Sequence, residues 1–171
     1  EFISQGIFTI GSVWLVFTLY MVLALLATDI TRIFLPSIKP YGFGISLGAV
    51  IGLLAYGYFN YKHPDINRID ITLDKPLPGK PMKVVAISDI HLGNGTRKPQ
   101  LKKFVEMINA QNPDLIIISG DLIDNSILPL YQQKMAEELS QLKAPMGIYM
   151  APGNHEYISG IEESLDFLEK T

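Results

Sequence analysis

The chain has no cysteine, so it can form no disulfide frame, no thiolate metal site and no cysteine nucleophile. It also lacks a basic cluster. Its 14 lysines and arginines are scattered and outnumbered by 17 acidic residues, giving a formal charge of -3. Binding the phosphate backbone of a nucleic acid needs Lys and Arg concentrated on one face, so no nucleic-acid partner is expected.

Charge is missing altogether from residues 7–28 and again from 41–61, whereas the chain after Lys62 has the mixed charge of an ordinary α/β protein. At about 1.5 Å rise per residue, either run is long enough as a helix to cross a hydrocarbon layer of roughly 30 Å. Asp29, Arg32, Pro36, Lys39 and Pro40 separate the two runs. Residues 1–61 therefore read as a membrane anchor with two transmembrane helices, at about 7–28 and 41–61. A cleaved signal peptide competes for the first run, but its apolar stretch would be only roughly 7–15 residues long. A buried core helix competes for the second, whose glycines would each weaken a soluble helix by about 1 kcal/mol.

Gly44, Gly48 and Gly52 share one stripe of the second run, where missing side chains let another helix approach. The expected neighbour is the first run of the same chain, ahead of a second copy. Tyr41 at one end and Tyr56, Tyr58 and Tyr61 at the other suit interfacial aromatic belts. Arg32 and Lys39 nearly balance Lys62, Arg68 and Lys75, so charge assigns no side of the membrane to the rest. Residues 62–81, with Pro64, Pro76, Pro78, Gly79 and Pro81, read as a linker, and the alternation at 67–73 predicts one short edge strand.

From residue 82 onward, apolar strands alternate with amphipathic helices, the pattern of a parallel sheet with crossovers. Strands are expected at 83–88, 114–119 and 147–151, each so continuously apolar that both faces should be covered. Helices are expected at 99–111, with Leu101, Phe104, Val105 and Ile108 inward, and at 128–142, with Leu130, Met135, Leu139 and Leu142 inward. Residues 160–170 carry Ile161, Leu165 and Leu168 at helical spacing. The chain begins at Glu1 and ends within that last segment, so it is read as a fragment.

Parallel strands bring their C-terminal ends to one sheet edge, where open α/β sheets bind ligands. Asp89-Ile90-His91 follows the first strand, Gly120-Asp121-Leu122-Ile123-Asp124 the second and Gly153-Asn154-His155-Glu156 the third. Taken singly, each has an ordinary explanation. Asp89 or Asp121 suits a helix N-cap or Asx turn, Asn154 after glycine suits a turn, and a lone His155 suits a structural role. Together they place two of the chain's three histidines among carboxylates at three matched strand ends. Oxygen and imidazole donors without sulfur suit Mn, Fe or Zn, and a carboxylate such as Asp121 can bridge two ions.

D-x-H, G-D-x-x-D and G-N-H-E, in that order at successive strand ends, resemble the calcineurin-like metallophosphoesterase superfamily over residues 83–171. The two spans, the linker and the Tyr-Gly-Tyr-Phe-Asn-Tyr run at 56–61 resemble its bacterial membrane-anchored members. The resemblance implies an α/β fold in which this chain holds the parallel βαβ half of the metallophosphoesterase sandwich, behind a transmembrane hairpin in a bacterial inner membrane. It implies two divalent metal ions that activate a hydroxide against a phosphoester, a lipid-linked one included. Asp89 and His91 would hold the first ion, Asp121 would bridge, and Asn154 would hold the second. His155 would face the leaving group with Asp124 orienting it, and Glu156 receives no role. The family's later histidines, a lone one and a Gly-His-x-His pair, have no counterpart here, so the fragment itself is expected to be inactive. The rival expectation is a catalytically inactive membrane-anchored binding or sensor protein of the same fold.

Overall fold

The computed structural model describes residues 2–74 and 81–171, with side chains from residue 6 onward in the first stretch. Lys75, Pro76, Pro78 and Gly79 of the expected linker lie outside the described residues. The chain divides into two compact units, Glu1–Leu73 and Asp74–Thr171.

In the first unit, α1 (Phe2–Phe34) is followed by a 3-10 helix (Pro36–Tyr41) and α2 (Gly42–Lys62). Pro36 and Pro40 lack the N–H that a continuing helix needs, which keeps the two long helices apart. Both are long and apolar enough to cross a membrane. They meet along Gly42, Ser46 and Val50, of which Ser46 and Val50 are buried. The Thr28 and Ser46 hydroxyls lie 2.7 Å apart, and a Cβ on Gly42 would stand 3.0 Å from the Thr28 methyl. The expected seam along Gly44, Gly48 and Gly52 is therefore wrong: a Cβ on any of these meets nothing within 4 Å. At about 100° per residue, a stripe two positions away from Gly42 and Ser46 points about 200° around the helix. The expected strand at 67–73 is absent too. Ile69 and Ile71 are 80% and 78% exposed, and alternation makes a strand only where a neighbour packs against it.

In the second unit, β1 (Val84–Ile87), β2 (Leu115–Ser119) and β3 (Ile148–Ala151) form a parallel sheet in the order β1-β2-β3. Ile87 pairs with Ile118 and Ser119 with Ala151, so the three strands end together at one edge. One face, carrying Val85, Ile87, Ile116, Ile118 and Met150, packs into the core with α3 (Lys98–Ala110). Expected cover on both faces is not observed. Val84, Ile117 and Tyr149 project from the other face and are exposed, because the helices all join the core on the first side.

The helix expected at 128–142 is instead two short ones, α4 (Leu128–Gln132) and α5 (Ala136–Leu139). Leu130 and Met135 are five residues apart, which puts them roughly 140° apart on one continuous helix. Lys134, at φ 52°, breaks the helix and turns both side chains into the core, where each is fully buried. Two further helices follow β3: α6 (Asn154–Ile158) and α7 (Ile161–Glu169). On α7 the buried pair is Ser164 and Phe167, while Leu165 faces outward, which shifts the expected apolar stripe by one residue.

Candidate metal centre

The loops leaving β1 and β2 have uncommon backbone. Asp89, His91 and Asp121 sit at φ 55°, 50° and 52°, a left-handed region that costs a residue with a Cβ about 1–2 kcal/mol. Strain of this kind persists only where surrounding bonds fix it, and it gathers at functional sites. Here the bonds are on the main chain. The N–H groups of Asp89, His91 and Leu92 donate to the carbonyls of Gly120, Asp121 and Leu122 at 3.3, 2.9 and 2.7 Å. Asp124 N–H donates back to the Leu92 carbonyl at 3.0 Å.

The third loop is pressed against the second where glycine leaves room. A Cβ on Gly120 would lie 2.8 Å from the Gly153 Cα. One on Gly153 would lie 2.8 Å from the Asp121 nitrogen and would collide with its carboxylate. That close approach lets His155 N–H donate to Asp121 Oδ1 at 3.0 Å.

The acidic and histidine members of the expected site converge. Asp89, His91 and Asp121 each offer a ligand atom within 4.8 Å of the others, and so do His91, Asp124 and His155. His91 joins the two sets, with Nε2 3.9 Å from Asp89 Oδ1 and Nδ1 3.7 Å from Asp124 Oδ1. The His91 and His155 rings meet edge to face with centroids 4.4 Å apart. Asn154, the remaining member, opens α6 as an exposed residue beside His155.

Asp124 Oδ1 stands 3.4 Å from His155 Nδ1, yet this buried nitrogen has no hydrogen-bond partner. The contact is thus proximity of charge and ring rather than a formed bond. An orphaned buried polar atom costs about 1–3 kcal/mol, which a small shift of either side chain would recover. Convergent carboxylates and imidazoles, with no sulfur among them, fit a divalent metal ion. Sequence reasoning missed one residue at this edge: Glu156 of α6 is fully buried directly behind the donors. Its signal was an acid at the third helical position after a glycine, as in a capping box.

A parallel sheet whose strand ends gather metal-ligand types defines an α/β domain with a candidate dimetal edge. A family model for calcineurin-like phosphoesterases matches residues 82–171, more than half of the chain. The chain belongs to the calcineurin-like phosphoesterase family. It is 35% identical over 130 residues to an uncharacterized metallophosphoesterase of Campylobacter jejuni, an alignment covering 75% of this chain and 34% of that protein. A transmembrane protein with metallophosphoesterase domain from Danio rerio is 37% identical over 107 residues, 61% of this chain and 24% of its own length. The UDP-2,3-diacylglucosamine pyrophosphatase LpxG of Chlamydia muridarum is 28% identical over 130 residues, 72% of this chain and 39% of its own. The chain spans about a third of the length of the curated relatives it matches first. No solved structure matches.

Proposed function

We propose that the full-length protein is a membrane-anchored, metal-dependent phosphoester hydrolase, to which this chain contributes donors at the ends of β1, β2 and β3. The convergence of Asp89, His91 and Asp121 within 4.8 Å carries the reading. Two divalent ions, when bound, supply a nucleophile at neutral pH and neutralise charge on the phosphoryl oxygens. Asp89, His91, Asp121 and Asn154 would hold these ions. The His155 N–H on Asp121 Oδ1 keeps that carboxylate from rotating. His155 donates the proton that the leaving oxygen requires, with Asp124 setting its tautomer, a contribution of about 100-fold to 10,000-fold.

Two apolar helices support a membrane anchor, and the relative from Danio rerio carries a transmembrane name. We place that anchor in a bacterial inner membrane because relatives such as that of Campylobacter jejuni are bacterial. The name of the Chlamydia relative supports a lipid-linked phosphoester as substrate.

The test is to express the full-length protein in detergent, measure bound Mn, and assay hydrolysis of an aryl phosphodiester and of a lipid-linked pyrophosphate. Asp121→Asn should abolish both Mn uptake and turnover. Undiminished turnover in that variant would sink the reading. A folded wild type with neither metal nor turnover would transfer it to a binding or sensor protein.

A further inference from the structure

Glu156 is a carboxylate closed off from solvent and, among the described residues, in no ion pair. Its relative exposure is 0%, and its three bonding partners are all backbone N–H groups. Oε2 accepts from Asp121 N–H at 3.0 Å and from Gly153 N–H at 2.7 Å. Oε1 accepts from Ile123 N–H at 2.9 Å. A buried carboxylate is costly unless every such contact is made, and hydrogen bonds to an ionised acceptor are roughly twice as strong as neutral ones.

The placement of the three donors matters more than their number. Two belong to the loop after β2, one being the N–H of Asp121 itself, and the third belongs to the loop after β3, one residue before Asn154. Capping of α6 alone would need only the Gly153 bond. The Asp121 and Ile123 bonds reach a different loop, across 35 and 33 positions of sequence. They also bear on Asp121 at φ 52°, where the backbone will not stay unaided.

We propose that Glu156 is the positioning residue of the metal centre, tying the Asp121 and Asn154 loops together so that both ions find their ligands already in register. The inference rests on the metal-dependent reading above. It assigns Glu156 no contact with substrate or ion. Glu156→Gln keeps the shape but puts an NH2 group against at least one N–H, so at least one of the three bonds is lost. Glu156→Asp keeps the acceptors on a shorter arm and reaches fewer donors.

The experiment is Mn titration of the full-length protein and of both variants by calorimetry, with thermal melts of the metal-free forms. Apparent Mn affinity should fall at least tenfold in Glu156→Gln and by a smaller factor in Glu156→Asp. A lower melting temperature with wild-type Mn affinity in Glu156→Gln would mean that the residue is merely structural, and would overturn the proposal. Should Asp121→Asn also bind Mn like the wild type, the metal centre itself fails and not just the role of Glu156. Hydrogen exchange of the wild type keeps the idea testable if neither variant folds. Peptides spanning 119–124 and 152–156 should be protected before Mn is added, and protection appearing only with Mn would show that the ions, not Glu156, align the loops.

Discussion

Apolar side chains cover the outside of one unit and fill the inside of the other. In Glu1–Leu73, residues such as Ile10, Leu15 and Ile33 are exposed around the helices, and Val50 is among the few buried. In Asp74–Thr171, Leu92, Ile116, Ile123, Leu130 and Met135 are closed off completely. The same residue types lie outside in one unit and inside in the other, and specificity moves accordingly. In lipid, such a hairpin would have no hydrophobic driving force to sort its helices, and its register would fall to a hydroxyl pair and a glycine. The α/β unit is held by close-packed volume, with the site added as main-chain bonds to carboxylates. Glycine shows the contrast in one residue type: Gly44, Gly48 and Gly52 face open space, whereas Gly120 and Gly153 leave the room for two loops to touch.

The largest effect that sharpens this contrast belongs to volume. Leu130→Ala, deep in the core beside the α4 to α5 break, should cost about 2–5 kcal/mol of stability through lost burial and the cavity left behind. Leu15→Ala on the outward side of α1 should leave the same denaturation midpoint of the α/β unit untouched. Chemical denaturation followed by tryptophan-independent circular dichroism measures both. Equal losses would erase the distinction between the two interiors.

Next in size is the site glycine. Gly153→Ala puts a methyl group against the Asp121 nitrogen, an overpacking that costs about 1–3 kcal/mol. Because the collision falls on Asp121, turnover should fall about 100-fold, as expected when reacting groups shift by roughly 1 Å. Bound Mn, kcat and melting temperature on the same preparation check it. An unchanged Mn content with full activity would mean that the two loops can separate freely.

How much of this was legible beforehand differs between the same two regions. The parallel sheet was legible because its strands are short apolar runs bounded by polar turns, and the three motifs marked the strand ends directly. The break at Lys134 was not, since a period count tolerates Leu130, Met135 and Leu139 on one helix until geometry places them. The bare sheet face escaped for a related reason: continuous apolarity says that a strand can be buried on both sides, not that a layer is present to bury it. Within the site, donor types are written in the side chains, but the left-handed φ of Asp89, His91 and Asp121 and the grip of Glu156 are backbone facts with a weak sequence signal. In the hairpin, both spans were plain from the absence of charge, yet the choice between two small-residue stripes was not. Gly42, Ser46 and Val50 won over three glycines because a hydroxyl at 46 can reach Thr28.

That hydroxyl contact is worth little by the measure of the core. Ser46→Ala should weaken the association of α1 and α2 by about 0.6 kcal/mol, the average for hydrogen bonds between helices in lipid. Thr28 keeps a second partner, the Ala24 carbonyl at 2.8 Å, so no donor is stranded. Unfolding in mixed micelles resolves a change of this size. A loss several times larger would mean that Ser46 has a further partner along the seam.

The smallest effect is the one most able to break the comparison. Gly48→Ala adds a methyl group that meets nothing within 4 Å, so the hairpin's unfolding midpoint in micelles should not fall. It should edge upward if helix propensity counts at all in that solvent, since Ala exceeds Gly by about 1 kcal/mol in water. Gly42→Ala is the matched control, because its added carbon approaches the Thr28 methyl to 3.0 Å and the neighbour must yield. The order of the pair is therefore fixed in advance: a loss at 42, none at 48. If Gly48→Ala instead destabilises as much as Gly42→Ala, then another helix lies on the open stripe. The hairpin would then obey the same rule as the metal-site loops, with glycine retained for close approach, and cross-linking of the wild-type protein in micelles would reveal the second chain.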